Sequence, residues 1–231
     1  MITEDDFNKF LTFFNNFVTS SDLSSSKQEK FILKITHTKR VVELGEKLAK
    51  ELNLNLNLAK TICLFHDLGR FPQIEKYDSL SDLETEDHAE LGLKVLAQSN
   101  ILDSFEEKDL VIAAIRYHNK ILYDIPELDE ETKKYLNFIR DVDKVDIYRI
   151  VFEKHLYENL GSANPKCVYD FLANKQVDRK DIRSDVDKLI LQLSWIHDIN
   201  YSETYKILKH DSYVEKLANL LPDNLNNIKK I

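Results

Sequence analysis

Glycine and proline are scarce in this chain, with four residues of each among 231. A protein built from many strands needs tight turns, and such turns depend on glycine and proline. No stretch alternates apolar and polar residues with the period of two that a half-buried strand requires. Leucine, lysine, glutamate and isoleucine are abundant instead, and most of these favour helices. The sequence therefore predicts an all-α protein without a significant sheet.

Paired cysteines and long apolar runs are also missing. Cys63 and Cys167 lie far apart and form no CxxC pattern, which argues against a disulfide framework and a zinc–thiolate site. No apolar run approaches the ~20 residues that a membrane-spanning helix needs. The first residues, MITEDDFNKF, carry acids where a signal peptide carries positive charge. We therefore expect a cytoplasmic protein that has no membrane partner.

The chain lacks a basic excess as well. Its formal net charge is −8, whereas a nucleic-acid-binding domain usually carries a concentrated basic face. We therefore expect no large nucleic-acid surface. A small phosphorylated ligand remains compatible with this charge, because a metal ion and two or three basic side chains suffice to hold one. A homo-oligomer is compatible with the sequence too.

The chain is 43% hydrophobic and long enough to build one sizeable core. We predict a single domain over residues 1–231, with its core at 27–155, an N-terminal helix within 1–26 and a C-terminal helical extension at 161–231. Residues 71–86 are predicted to form a loop over the site. Apolar periodicity and capping residues predict the following helices: 3–20, 27–52, 58–68, 88–99, one from a cap at Asp103 or Ser104 to His118, 130–160, 165–174, 181–200 and 202–221.

Histidines and acids recur on the apolar faces of these predicted helices. Five such groups occur in four separate segments: His37, the adjacent pair His66-Asp67, His88 and His118. Each shares helical phase with apolar neighbours or ends an apolar run, so each is expected to point inward. Imidazole and carboxylate groups are costly in a core unless something binds them. Because both groups suit Fe, Mn, Zn, Co and Ni, the pattern predicts one or two shared divalent ions.

A further acidic ligand is expected in the segment DVDKVD. Asp143 fits the apolar stripe of its helix best and directly precedes Lys144. Asp146 lies one turn further on and is an alternative ligand. Asp141 is a candidate for orienting a histidine instead of binding metal. The sequence leaves the choice among the three acids open.

The His-Asp dipeptide is a weak signal by itself, since it occurs three times in this chain. Only the first occurrence is followed by Leu-Gly-Arg and accompanied by a matching set of histidines. We therefore expect His197-Asp198 and His210-Asp211 to be structural. His155 lies among polar residues and is expected at the surface.

The order of these groups resembles the H…HD…D signature of the HD-domain superfamily of metal-dependent phosphohydrolases. The matching residues are His37, His66, Asp67 and Asp143, with His88 and His118 at the positions of the two extra histidines of binuclear members. The resemblance covers roughly residues 27–155 and includes the stretches FHDLGRFPQ, EDHAELG and RDVDKVD. It implies a compact HD-domain helical bundle, here with additional C-terminal helices, with the metals at its centre.

The resemblance also implies roles for individual residues. One ion would be held by His37, His66, Asp67 and Asp143, and Asp67 would bridge to a second ion held by His88 and His118. Arg70 and Lys144 become candidates for phosphate contacts, and the alternative for both is a salt bridge to a ligating carboxylate. Asp67, Arg70 and Lys144 are thus the predicted catalytic residues. The tripeptide GYP is absent, which argues against the cyclic-dinucleotide phosphodiesterase branch.

The expected reaction is hydrolysis of a phosphate ester or anhydride in a nucleotide or another small phosphorylated metabolite. One or two ions of Fe, Mn, Co, Ni or Zn would generate the attacking hydroxide. No Ser/His/Asp or Cys/His arrangement calls for a covalent nucleophile. Two alternatives remain. The same ligand pattern resembles the diiron oxygenases of this superfamily, such as inositol oxygenase, and the chain is also compatible with a non-catalytic nucleotide-binding module.

Overall fold

The computed structural model describes residues 1–19, 25–121, 125–154, 157 and 161–229. All regular secondary structure in these residues is helical, so the all-α prediction is confirmed. None of the helices in the described part of the chain is both long enough and apolar enough to cross a membrane.

The described residues form a series of α-helices. In chain order they are α1 (Glu4–Thr19), α2 (Ser25–Glu51), α3 (Leu56–Phe65), α4 (Arg70–Tyr77), α5 (His88–Ser99), α6 (Lys108–Tyr117), α7 (Glu130–Glu153), α8 (Pro165–Leu172), α9 (Asp185–Ser194), α10 (Ser202–Asp211) and α11 (Tyr213–Ala218). Short 3₁₀ segments occur at Arg179–Asp181, Trp195–Asp198 and Asp223–Leu225. The chain divides into two compact units, Met1–Val142 and Asp143–Ile231. The predicted single domain over residues 1–231 stays a prediction.

Short polar side chains set the beginnings of two helices, α5, which carries His88, and α3, which ends just before His66. Asp87 caps α5 as predicted, and its carboxylate accepts a hydrogen bond from Ala89 N at 2.8 Å. Asn55 caps α3 by accepting from Leu58 N at 3.0 Å, so α3 starts earlier than the predicted position. It also ends earlier, at Phe65, and the His-Asp pair therefore lies just beyond the helix.

The segment predicted as a loop over the site is partly helical. Residues 71–86 contain most of α4, and Pro72 lies in the first turn of that helix. A backbone N–H in the first turn has no helical acceptor, so proline removes nothing that the helix needs. Only residues 78–87 form an irregular connection here.

Two further predicted boundaries were wrong. The helix α6 begins at Lys108, later than the predicted cap at Asp103 or Ser104, because turns occupy the intervening residues. The single helix predicted over 202–221 is interrupted at Ser212. That residue has a φ of 56°, a left-handed conformation that ends α10 before α11 begins.

The remaining differences concern helix length. The helix predicted over 181–200 is shorter, since α9 is flanked by 3₁₀ segments. Among the described residues α7 ends at Glu153, short of the predicted end at Leu160. His155 lies outside the described residues, so its predicted surface position stays a prediction.

Aromatic packing within the first unit holds α1 against the helices on both sides of the His-Asp pair. Phe10 packs on Phe65 with ring centroids 5.6 Å apart, and Phe14 packs edge-on against Phe71 at 5.7 Å. Phe65 ends α3 and Phe71 lies in the first turn of α4. Because each such pair contributes about 0.5–1.5 kcal/mol beyond its burial, both ends of the intervening turn are fixed in place.

Candidate metal centre

His66 and Asp67 lie in the turn between α3 and α4. His66 N still donates to Ile62 O at 2.9 Å, which closes the last helical turn, and Arg70 N donates to Asp67 O at 2.9 Å. Adjacent residues within a helix point about 100° apart, but a chain that leaves the helix is free of this restriction. Both side chains are buried and point toward the same group of histidines.

Gly69 permits the close approach of α5 to this turn. A Cβ atom at Gly69 would overlap the backbone atoms His88 O and Gly92 N, so no larger residue fits without separating the two segments. The contact brings the first residue of α5, His88, to the carboxylate of Asp67. The glycine of the motif therefore has a structural role that is visible only in the fold.

The two carboxylate oxygens of Asp67 face different histidines. Oδ2 lies 3.4 Å from His37 Nε2 and 3.6 Å from His66 Nε2. Oδ1 lies 3.2 Å from His88 Nε2. The Nε2 atoms of His37 and His66 are 3.3 Å apart, and those of His88 and His118 are 3.1 Å apart. The structure thus places Asp67 between two pairs of imidazoles.

The hydrogen-bond partner of Nδ1 determines which ring nitrogen carries the proton in His66 and in His118. His66 Nδ1 lies 2.8 Å from Cys63 O, and His118 Nδ1 lies 2.6 Å from Ile115 O. A carbonyl oxygen can only accept a hydrogen bond, so each Nδ1 carries the proton. In the neutral ring the Nε2 lone pair then points toward Asp67, as metal coordination requires.

His88 is oriented by a side chain that the sequence argument missed, Asp82. Its Oδ2 accepts from His88 Nδ1 at 2.8 Å, and its Oδ1 accepts from Arg70 Nη1 at 2.8 Å. Burial tends to raise the pKa of Asp82, but the hydrogen bond and charge of His88, with the charge of Arg70, hold the pKa below its ordinary value. No pattern in the sequence marks this residue, because it lies in an irregular connection.

A second missed residue, Lys34, contacts the carboxylate directly. Its Nζ lies 2.5 Å from Asp67 Oδ2, while Arg70 Nε lies 3.5 Å from Oδ1. Burial would raise the pKa of Asp67, but the charge of Lys34, together with the contacts of His66 and His37, holds the pKa well below its ordinary value. Asp67 is therefore ionised at neutral pH. Lys34 precedes His37 by one helical turn, so helical phase could have found it.

The residues present fit divalent transition ions. Two ligand atoms ~2.1 Å from one ion are ~3.0 Å apart at a right angle and ~3.4 Å apart at a tetrahedral angle. The imidazole pairs at 3.1 and 3.3 Å, and the carboxylate contacts at 3.2 to 3.6 Å, lie in or close to this range. Asp67, His88 and His118 in particular offer ligand atoms that all lie within 4.8 Å of one another.

The acids of DVDKVD are distributed over both units. Asp141 is fully buried in the first unit, whereas Asp143 opens the second, and Asp146 is buried there. Lys144 belongs to the second unit too, and its Nζ donates to Asp198 Oδ2 at 2.7 Å and to Asp198 O at 2.9 Å. The ligand role of Asp143 and the phosphate contact of Lys144 stay predictions.

The two other His-Asp dipeptides lie in the second unit and make contacts within it. Asp198 is buried and holds Lys144, while His210 is largely exposed and pairs with the neighbouring Asp211 at 3.0 Å. Both arrangements fit the structural role expected for these dipeptides.

Arg140 holds the end of the helix that presents His118. Its side chain is 2% exposed, and Nη1 donates to Tyr117 O at 3.3 Å and to His118 O at 3.2 Å. It also donates to Lys120 O. The last carbonyls of α6 have no donors within the helix, so this buried cation supplies their hydrogen bonds. Its positive charge also interacts favourably with the negative end of the helix dipole.

Arg140→Met is expected to lower the free energy of unfolding by about 3 kcal/mol, because three carbonyls lose their donor. Urea unfolding followed by circular dichroism measures this change. Arg116→Met is the matched control, since Arg116 lies on α6 but is 41% exposed in its pair with Glu90. The control is expected to change stability by no more than about 0.5 kcal/mol. Equal stabilities of the two variants would contradict the role of Arg140.

Comparison with known proteins adds family information to this geometry. The sequence profile of the HD domain matches residues 35–148. The chain is similar to Ribonuclease Y of Mycoplasmoides gallisepticum, with 22% identity over 227 residues, which covers 82% of this chain and 38% of that protein. It is also similar to Ribonuclease Y of Borreliella afzelii and of Borreliella burgdorferi, with 36% identity over 88 residues, 38% of this chain and 15% of each relative. The chain thus spans well under half the length of these relatives. No solved structure gives a significant match.

Proposed function

The chain belongs to the HD-domain superfamily, and from this membership we propose that it is a metal-dependent phosphohydrolase. The family match and the likeness to Ribonuclease Y support a metal-dependent hydrolase of the HD type. The observation that carries the proposal is the carboxylate of Asp67, whose two oxygens face different sets of imidazole Nε2 atoms. A bridging carboxylate between two nitrogen donor pairs is suited to a dinuclear site.

The proposed ligands separate into two groups around this carboxylate. His37 and His66 would hold one divalent ion together with Asp67 Oδ2, and Asp143 is the proposed additional acid. His88 and His118 would hold the second ion together with Oδ1. When bound, such ions act as Lewis acids and lower the pKa of coordinated water, which supplies a hydroxide nucleophile at neutral pH. The donor set suits Fe, Mn, Co, Ni or Zn.

The basic side chains next to Asp67 have a separate proposed role. Lys34 approaches one carboxylate oxygen and Arg70 the other, so a cation flanks each half of the ligand set. Arginine and lysine neutralise phosphoryl oxygens, and arginine also binds them in a fixed geometry. These two residues are therefore proposed to bind the phosphoryl group and to stabilise the charge that develops on it.

The proposed substrate is a nucleotide or another small phosphorylated metabolite. The net charge of −8 disfavours binding of a long polyanion, while one phosphoryl group is well matched to two cations and a metal centre. The relatives are named Ribonuclease Y, so a short oligoribonucleotide is included in the proposed phosphodiester class.

The test is a substrate panel with protein that has been freed of metal and reloaded with Mn, Fe, Co, Ni or Zn. The panel contains phosphomonoesters, nucleotides, cyclic nucleotides and a short oligoribonucleotide, with phosphate release, nuclease products and oxygen uptake measured in parallel. We expect hydrolysis of at least one compound that requires added metal. Oxygen uptake without hydrolysis would identify the oxygenase alternative. Nucleotide binding without conversion by any loaded form would identify the non-catalytic module.

A further inference from the structure

The Nδ1 atom of His88 has a different kind of hydrogen-bond partner from the Nδ1 atoms of His66 and His118. His66 and His118 direct Nδ1 to carbonyls of their own helices, Cys63 O and Ile115 O. His88 is the first residue of α5, so no preceding helical turn offers a carbonyl to its ring. Its Nδ1 lies instead 2.8 Å from Asp82 Oδ2, a side chain from the irregular residues 78–87.

The same carboxylate also holds the proposed phosphate-binding arginine. Asp82 Oδ1 accepts from Arg70 Nη1 at 2.8 Å and from Gln73 Nε2 at 3.0 Å. Its side chain is 10% exposed, so water competes little for these hydrogen bonds. One carboxylate thus connects a proposed metal ligand to a proposed phosphate contact through its two oxygens.

Arg70 and Gln73, the two side chains of α4 that contact Asp82, also attach the rest of residues 78–87 to that helix. Arg70 Nη1 donates to Leu80 O at 2.7 Å. Gln73 Nε2 donates to Thr85 Oγ1 and to Glu86 O, both at 2.8 Å. The position of Asp82 therefore depends on the folding of this connection, and a displacement of the connection would release His88 and Arg70 together.

We infer that Asp82 is a positioning residue that fixes the ring of His88 and the guanidinium of Arg70, and that it selectively controls the ion held by Asp67, His88 and His118. The inference rests on the proposed function for the presence of that ion. A carboxylate on the outer nitrogen of a ligating imidazole fixes its tautomer and orientation and increases its basicity. On the other side of Asp67, His66 directs its Nδ1 to Cys63 O at 2.8 Å, so the two ions should respond differently to the loss of the Asp82 carboxylate.

The test compares Asp82→Asn with Glu86→Gln. The first substitution preserves the shape of the side chain and removes the ionised acceptor between His88 and Arg70. The second removes one negative charge from the same connection, but Glu86 pairs outward with Lys76 at 2.6 Å and with Lys94 at 3.3 Å. Titration of each metal-free protein with Mn²⁺, followed by calorimetry and elemental analysis, measures the affinity of each site.

We expect the Asp82→Asn protein to bind one of two ions about 10- to 100-fold more weakly and the other within about threefold of the wild type. The Glu86→Gln protein should bind both ions as the wild type does. Equal affinities in the two variants would overturn the inference, and so would an equal loss of both ions in Asp82→Asn. Circular dichroism of the metal-free proteins should be the same for all three.

A second measurement separates this inference from the proposed function. Wild-type protein that binds no ion would contradict the proposed function, yet the ring protons of ¹⁵N-labelled histidine still report on Asp82. We expect a slowly exchanging, downfield Nδ1 proton of His88 in the wild type and in Glu86→Gln, assigned by its loss in His88→Gln. It should be missing in Asp82→Asn, while the ring protons of His66 and His118 persist. A His88 signal unchanged by Asp82→Asn would overturn the inference.

Discussion

Asp67→Asn is expected to abolish binding of both metal ions and to lower the rate of hydrolysis at least ~10³-fold. The reason is geometric, because one oxygen lies 3.4 Å from His37 Nε2 and the other 3.2 Å from His88 Nε2. An amide presents one oxygen and one NH₂ group, so it cannot serve both sides. Elemental analysis after gel filtration and steady-state kinetics measure the two effects.

The matched control for this substitution is Asp211→Asn, which changes the aspartate of another His-Asp dipeptide at the end of α10, beside the exposed His210. The control should retain two ions and normal turnover. Added Mn²⁺ should raise the melting temperature of the wild type and of the control, since ligands that bind only the folded state stabilise it. It should leave the melting temperature of Asp67→Asn unchanged. Two tightly bound ions in Asp67→Asn would contradict the bridging role.

Gly69→Ala is the other substitution for which we expect a large effect. The added methyl group would overlap backbone atoms of His88 and Gly92, and backbone cannot move aside by a rotamer change. The turn and α5 must therefore separate, which is expected to lower the free energy of unfolding by about 3 kcal/mol. The same separation carries His88 away from Asp67, so binding of the second ion should be lost. Urea unfolding and metal stoichiometry measure both consequences.

Gly161→Ala provides the comparison for this prediction. A Cβ atom at Gly161 would lie 3.5 Å from Ser184 Cβ, an ordinary van der Waals contact. Its stability should therefore remain within about 0.5 kcal/mol of the wild type, with two ions bound. If Gly69→Ala behaved in the same way, the close approach of α5 to the His-Asp turn would be wrong.

Local chemistry accounts for the parts of the fold that could be predicted. Asp87 caps α5 where expected because a carboxylate accepts from the first free N–H groups of a helix whatever surrounds it. The α4 helix was missed because Pro72 and nearby serines and acids indicate a loop, whereas aromatic packing of Phe71 on Phe14 and Phe31 stabilises a helix there. Packing of this kind joins distant segments and leaves no local pattern.

Some residues of the candidate site could likewise be predicted from local patterns, and others could not. His37, His66 and His118 could be selected by phase, because a helix repeats its buried face every three to four residues. Asp82 could not, since its hydrogen bond to His88 depends on the path of an irregular connection. The choice among Asp141, Asp143 and Asp146 also stays open, because all three lie within six residues of one helix.

The sequence by itself determined the helical class and selected His37, His66, Asp67, His88 and His118 as candidate ligands, since both depend on composition, periodicity and residue order. Only the tertiary structure decided that the two oxygens of Asp67 face separate imidazoles, that Gly69 admits α5 to the turn, and that Lys34 and Asp82 join the site. These features are distances between segments far apart in the chain, and such distances are set by how the helices pack.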